Sequence, residues 1–226
     1  MKNLNYLLAA ALLGTALSAN AQINQTPITG NGGQIMMPGS KSNANVQGSM
    51  YINEAFLPAK IGESSNSNQM LRYNAYSDYF EISYPQEQTV KSLPKQPGTV
   101  ITFATGEQYV LINFVKDKAE NSGYMQLLGN NAKVKIYKRE HIYLQAASKP
   151  DNGYGSEKPA TYKKDSDEFY VQIGDAPAQY FSSKKSFSKL VPGKSEEILN
   201  FIKQNKIDLE KGEDLAKLAE YTASII

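Results

Sequence analysis

From residue 48 to about 181 the chain is a succession of short segments rich in Tyr, Phe, Val and Ile, separated by connections of a few residues. Side chains in several of them alternate in character, as they do on a pleated strand with one buried face. This pattern constrains the fold more than any single residue does. The segments GSMYINEAFL, QMLRYNAY, DYFEISY, TVITFA, QYVLINFV, GYMQLLG and AKVKIYKREHIYLQAA read as strands. Ser77-Asp78, ATGEQ, DKAENSGY and LLGNNAK read as the turns between them. Connections this short join antiparallel neighbours, and no segment here supplies the helix that a parallel crossover needs. The expected fold is mainly β (α+β): an antiparallel β-meander forming a half-barrel or sandwich.

Within 134–145, one parity holds Val134, Ile136, Lys138, Glu140, Ile142 and Leu144. Its polar middle marks an edge or a bulge. Residues 148–166 read as an exposed loop or long hairpin tip, and two further strands flank the turn Gly174-Asp175-Ala176-Pro177. After 183 the period changes. Ser186 is a candidate cap for a short helix that Pro192-Gly193 ends, and Ser195 for a second, with Glu196 and Glu197 in its first turn. Ile198, Leu199, Phe201 and Ile202 make one apolar face, and Leu215, Leu218, Ala219 and Tyr221 another, over about 211–224. A C-terminal helical hairpin packed on the sheet is expected.

The N-terminus carries an address. Lys2 precedes an apolar run from Leu4 to Leu17, and Ala19-Asn20-Ala21 is a small-x-small cleavage site before Gln22. The run is too short to span a bilayer comfortably, and no second run of transmembrane length follows. The organisation expected is therefore a signal peptide at 1–21 and a flexible polar segment at 22–47. An antiparallel β domain follows at 48–183, then C-terminal helices at 184–226. Ile35-Met36-Met37 is the one apolar spot in the polar lead.

Composition removes whole classes of chemistry. With no Cys, the chain has no thiol catalysis, disulfide, iron–sulfur cluster or Cys-type zinc site. One His cannot build a multi-histidine metal site. Twenty-four basic against 22 acidic residues leave no electrostatic footprint for nucleic acid. No cofactor is expected.

The remaining motifs carry little chemistry. His141 lies inside a strand pattern, without a G-x-S-x-G nucleophile turn anywhere, and reads as a half-exposed strand residue. Gly193-Lys194-Ser195 looks like the end of a phosphate loop, but Ser188 stands where that motif needs Gly, and no strand precedes it. Asp151-Asn152-Gly153 and Asp165-Ser166-Asp167-Glu168 are fragments of calcium loops that complete no EF-hand; a weak surface cation site is the most they imply. Glu81, Glu107 and Glu120 are dispersed along the chain, whereas a glycosidase pair must flank one bond. The most distinctive cluster is Tyr73, Tyr76, Tyr79 and Tyr84 with Arg72. Aromatic faces among polar neighbours can hold a sugar or peptide in a shallow cleft, so these five are the candidate ligand-binding residues. The competing role is to pack sheet faces while keeping each hydroxyl wet.

At GSMYINEAFLPAKI, LRYNAYSDYFEI and the tail KLVPGKSEEILNFIKQNKIDLEKGEDLAKLAEY, the chain resembles a family of small exported proteins of uncharacterised function from Gram-negative bacteria of the Bacteroidota type. The likeness spans roughly residues 48–226. It implies export and a β-meander with a helical tail, and it transfers no site residue. The chain has no recognisable C-terminal β-sandwich sorting domain, which favours the periplasm over the cell surface.

Three functions compete. The first is an exported, non-catalytic envelope protein with a binding or structural role, whose partner would be another envelope protein. The second is a carrier of a small hydrophobic ligand, such as an acyl chain, in a half-barrel cavity. The third and weakest is a carboxylate-based hydrolase. A deep apolar pocket would favour the carrier, convergent carboxylates the enzyme, and no pocket the first reading.

Overall fold

The computed structural model describes residues 46–62, 68–149 and 157–226. Thirteen strands precede three helices: β1 (Val46–Gln47), β2 (Leu57–Ile61), β3 (Gln69–Asn74), β4 (Tyr79–Tyr84), β5 (Thr89–Ser92), β6 (Val100–Phe103), β7 (Gln108–Lys116), β8 (Ala119–Asn130), β9 (Val134–Arg139), β10 (Ile142–Gln145), β11 (Ala160–Lys164), β12 (Glu168–Ile173), β13 (Ala178–Phe181), α1 (Lys184–Lys189), α2 (Ser195–Gln204) and α3 (Gly212–Ser224). The expected mainly-β fold with a meander and helical tail is what the chain adopts.

Ten strands form one sheet in the order β13-β12-β9-β8-β7-β6-β2-β3-β4-β5. One end rolls up. β13 returns to pair in parallel with β7, so β7, β8, β9, β12 and β13 close into a five-stranded barrel. The other five strands extend from it as an open antiparallel sheet. β1, β11 and β10 form a separate small sheet.

β7 is the hinge of this arrangement. One of its edges pairs with β8 from Tyr109 to Lys116. The other edge is divided: Gln108–Val110 pair with β6, and Phe114–Val115 with β13. Over Leu111–Asn113 the two partner strands part company.

The two-residue period then assigns every side chain. Val110 and Phe114 of β7 point into the barrel with Met125, Tyr137, Tyr170 and Ala178, and all six are buried. Tyr109 and Leu111 point the other way, into the core of the open sheet beside Leu71, Tyr73, Phe80 and Ile101. On the outside of the barrel Val134, Ile136, Val171 and Phe181 lie under Ile198, Ile202, Leu215 and Leu218 of the helices. Barrel strands are thus apolar on both faces, which blurs the alternation in their sequence.

The helices begin differently from expectation. Ser183 caps α1, and Ser186 sits three residues on, completing a reciprocal capping box. Ser195 is the first residue of α2 and hydrogen-bonds Ser188 through their hydroxyls at 2.9 Å; Lys194 occupies the cap position without a side-chain capping bond, its ammonium donating to Glu197 at 2.9 Å. Phe201 of α2 stacks on Tyr221 of α3, centroids 3.9 Å apart. α3 lies so close to β8 that a Cβ on Gly129 would meet Ala219 Cβ at 2.7 Å. Gly129 also follows the irregularity in the β8–β9 register, which bends the strand at the place where the helix sits.

Several expected boundaries shift. The segment 134–145 is not one strand: the chain leaves the barrel at Glu140–His141 and enters the small sheet as β10. The polar residues in its middle mark that change of sheet. The stretch 148–166 contains β11, paired with β10. Of GSMYINEAFL only Leu57 is in a named strand, and β5 pairs with β4 where no strand was expected. Val46 and Gln47, grouped with the polar lead in the sequence, form β1. The signal segment, the remainder of the polar lead with Ile35-Met36-Met37, and residues 63–67 and 150–156 lie outside the described residues. Among those described, no helix is long and apolar enough to cross a membrane.

The DKAENSGY connection is mostly strand, because β8 starts at Ala119, paired with Lys116. The turn is only Asp117-Lys118, with φ of 51° and 65°. Positive φ at both central positions is the type I′ geometry, which favours Asn-Gly. The double variant Asp117→Asn/Lys118→Gly should therefore raise stability by about 0.5–1 kcal/mol, since glycine adopts this conformation at no steric cost. An unchanged or lowered melting temperature would show that the turn is not of this type.

Candidate functional site

The parting of β6 and β13 from β7 opens a cleft of about 740 Å³. Lys60, Val100 and Thr102 form one wall, and Gln172, Asp175 and Pro177 the other. Val110, Ile112, Leu127 and Tyr137 supply an apolar floor, beside Lys135. The barrel interior below is occupied by side chains. Phe114, Met125, Tyr137 and Tyr170 fill it, as expected for a barrel of fewer than about eight strands. Its far end is plugged by Glu168, which pairs with Lys116 and accepts from Arg139 Nη1 at 3.3 Å and from the Tyr170 hydroxyl at 2.7 Å. The cleft is therefore the mouth of a closed barrel, widened by the open sheet that flares away from it. A second hollow beside Leu93 and Tyr124 measures about 90 Å³, room for about three waters.

Polar groups at the cleft divide into held and free. The Tyr137 hydroxyl donates to Gln172 Oε1 at 2.7 Å, and Gln172 Nε2 donates to the Ala176 carbonyl at 3.0 Å, which fixes that amide. The side chains of Lys60 and Lys135 have neither an ion-pair nor a hydrogen-bond partner among the described residues, and Asp175 is the one carboxylate on the lining.

The five residues singled out in the sequence do not share one surface. Tyr73 pairs with Phe80 across β3 and β4 and is 4% exposed, within the open sheet's core. Tyr84 packs against the same cluster. Tyr76 lies in the turn after β3, 42% exposed, with its ring 5.1 Å from that of Tyr162. Only Arg72 and Tyr79 meet, on the opposite sheet face, around Glu81. Arg72 Nε donates to Glu81 Oε2 at 2.7 Å, and Tyr79 and Tyr51 donate to Oε1 at 3.3 and 3.1 Å. The Arg72 guanidinium also lies over the rings of Tyr51 and Phe56, at 3.7 and 4.3 Å. Arg72 Nη1 also donates to the Glu54 carbonyl at 3.2 Å and Nη2 to the Tyr51 hydroxyl at 2.9 Å, which holds the irregular stretch before β2 against the sheet. None of the five lines the cleft.

The arrangement around Glu81 recurs. Asp78 accepts from the Tyr73 hydroxyl at 2.8 Å and pairs with Lys95. Glu140 accepts from the Tyr109 hydroxyl at 2.8 Å and pairs with Lys138 and Lys164. Glu168 accepts from Tyr170, as above. In each case the ring lies in or against the core while the hydroxyl reaches its edge, where a carboxylate countered by a cation takes the proton donor. Tyrosine abundance is thus largely structural, and these carboxylates are committed to internal partners. Asp167 belongs to the same network, 3.0 Å from Lys164. Among the described residues no three His, Asp or Glu side chains gather as a metal site, and Asp151 lies outside them.

Glu107 and Glu120 stand at opposite ends of the β7–β8 hairpin. Glu120 lies opposite Val115, eight residues beyond Glu107. At about 3.3 Å per residue they are about 26 Å apart, against the ~5–9.5 Å a glycosidase pair requires. His141 is half-buried in the break between β9 and β10, and its carbonyl accepts from Asp165 N at 2.9 Å.

These pairs dictate a pH dependence. Burial alone would raise the Glu140 carboxyl, but Lys138, the Tyr109 hydroxyl and Lys164 outweigh it and hold it below the ordinary 4.5. Burial of Glu168 is likewise outweighed by Lys116, Tyr170 and Arg139. Groups depressed on folding contribute stability that is present above the unfolded value and lost as pH falls below it. The tyrosines act in the opposite sense. Burial first, then Glu140, raises Tyr109; burial with Glu168 raises Tyr170; burial with Asp78 raises Tyr73, and pushes Tyr124 up to about 12. Their contribution is complete below the ordinary 10.0 and is lost as pH climbs through the raised values. The melting temperature should therefore fall on both sides of a plateau, below 4.5 and above 10.0. Tyrosinate absorbance should rise in two steps, the second coincident with unfolding. Titration of every tyrosine near pH 10.0 in a chain that stays folded would contradict the pairing.

Searches against family models, curated proteins and solved structures found no match to this chain.

Proposed function

We propose that the chain is an exported, non-catalytic binding protein of the bacterial envelope, and that the barrel-mouth cleft is its binding site. The single observation that carries this reading is the divided edge of β7, which leaves an apolar-floored cleft of about 740 Å³ at the mouth of the barrel. That volume lies in the range of about 300–1,000 Å³ typical of small-ligand sites. Commitment of the buried carboxylates to tyrosine and cation partners argues against the hydrolase reading. Export and a periplasmic address rest on Lys2, the Leu4–Leu17 run and Ala19-Asn20-Ala21, and the resemblance to small exported proteins supports the same placement.

Native mass spectrometry of the mature protein, purified gently from envelope material, tests this. Wild type should carry a small non-covalent adduct released on denaturation. Ile112→Trp, which places an indole in the cleft, should not carry it. A bare wild type, or the same adduct on both proteins, would contradict the proposal.

A further inference from the structure

We infer that the occupant of the cleft is a single-chain amphiphile with an anionic head: the head between Lys60 and Lys135, the apolar body on Val110, Ile112 and Leu127. The inference rests on the cleft being the binding site and adds the chemical class of ligand. Elsewhere in the fold the partly buried cations have a counter-charge. Among the described residues Arg72 has Glu81, Lys91 has Glu87, Lys116 and Arg139 share Glu168, Lys138 has Glu140 and Lys194 has Glu197. The cleft departs from that rule. Lys135 is half-buried on β9, and its side chain has no partner among the described residues; Lys60, across the cleft on β2, is exposed, and its side chain is likewise unpaired. Two lysines without a side-chain partner on the lining of one half-enclosed space raise its potential. An anion placed there lowers it.

The opposite charge is poorly supplied from within. Asp175 is the only carboxylate on the lining, and it sits exposed in the β12–β13 turn. The lining thus keeps a net positive charge of one, two lysines against one aspartate. The Gln172 amide, held by Tyr137 and Ala176, forms a polar rim rather than a free donor. Beneath these groups the floor is aliphatic and aromatic. A small inorganic anion would leave it wetted, and a neutral hydrocarbon would leave the lysines unmatched. A molecule with an anionic end and an apolar body satisfies both parts, because ligand sites of this kind pair an apolar lining with a few polar groups that fix orientation.

Calorimetric titration of the mature protein with four probes tests the inference: decanoate, decanol, decylamine and acetate, each below its micelle concentration. Decanoate should bind wild type, with decanol and decylamine at least about tenfold weaker and acetate not measurable. Lys60→Gln/Lys135→Gln should weaken decanoate by about tenfold and leave decanol unchanged. Ile112→Trp should abolish binding of both. Lys163→Gln, on the exposed face of β11, should change nothing. If decanol binds as well as decanoate and the lysine variant is silent while Ile112→Trp still blocks, the head-group assignment is overturned and the cleft remains the site. If no probe binds, or if Ile112→Trp binds decanoate like wild type, both the inference and the binding-site reading fall. Circular dichroism on each variant separates lost binding from lost folding, and Ile112→Phe provides a second blocking variant if the Trp form does not fold.

Discussion

Ending the chain after Lys194 should leave a product with no cooperative melting transition and rapid proteolysis. This truncation removes α2 and α3, and with them the cover over Val134, Ile136, Val171 and Phe181 on the outside of the barrel. Ile198, Ile202, Leu215 and Leu218 are each at most 3% exposed. At about 1.5–3 kcal/mol for each buried side chain, those four alone contribute about 6–12 kcal/mol. Most domains have only about 5–15 kcal/mol in total. The bare barrel would also show water an apolar outer face broad enough to drive association. Limited proteolysis and scanning calorimetry read the outcome. A truncated chain that melts at the full-length temperature would mean that the helices do not belong to the core.

The second large effect is expected at Tyr170, which is fully buried in the barrel and bonded to Glu168 at 2.7 Å. Tyr170→Ala empties the space beside Phe114, whose ring lies 5.0 Å away, and should cost about 3–5 kcal/mol. For a chain of this length that is roughly 10 °C in melting temperature. Tyr170→Phe keeps the ring and removes only the hydroxyl. Glu168 retains Lys116 and Arg139, so the loss should be near 1 kcal/mol. Equal losses for the two variants would place the energy in the hydrogen bond and not in the packing of the barrel.

Much of the fold was legible because strand and helix carry different periods. The hairpins β3–β4 and β12–β13 stand where alternation and the turns at Ser77-Asp78 and Gly174–Pro177 indicated, and the last two helices where apolar stripes appeared. What escaped was long-range. Closure of the barrel depends on Ala178–Gln179 finding Phe114–Val115, more than sixty residues earlier, and nothing local at either place announces a parallel pair. The change of sheet at Glu140–His141 is a tertiary event that reads locally as one polar interruption. The Asp117-Lys118 turn lacks the Asn-Gly signal of its geometry, so the strand that follows it reads locally as loop.

The candidate site was less legible, for a related reason. Tyr73, Tyr76, Tyr79 and Tyr84 are close in sequence, and pleating sends them to different faces. Lys60, Ile112, Lys135 and Gln172 are far apart in sequence and come together only because β6 and β13 diverge from one strand. No spacing rule joins four such residues. The available clue was Lys135 between Val134 and Ile136, a polar residue between two apolar ones in a segment reading as strand, and that describes many solvent-facing positions equally well.

Everything proposed for this protein's function turns on whether the divided edge of β7 binds a ligand. Methyl-resolved NMR of the mature protein tests it directly, with and without the small-molecule extract of the envelope that contains it. Shifts are expected at the methyl groups of Val100, Val110, Ile112 and Leu127, with those of Ile198, Leu215 and Leu218 on the buried faces of the helices unmoved. Shifts confined to the methyl groups on the helices, or none at the cleft, would contradict a binding site there.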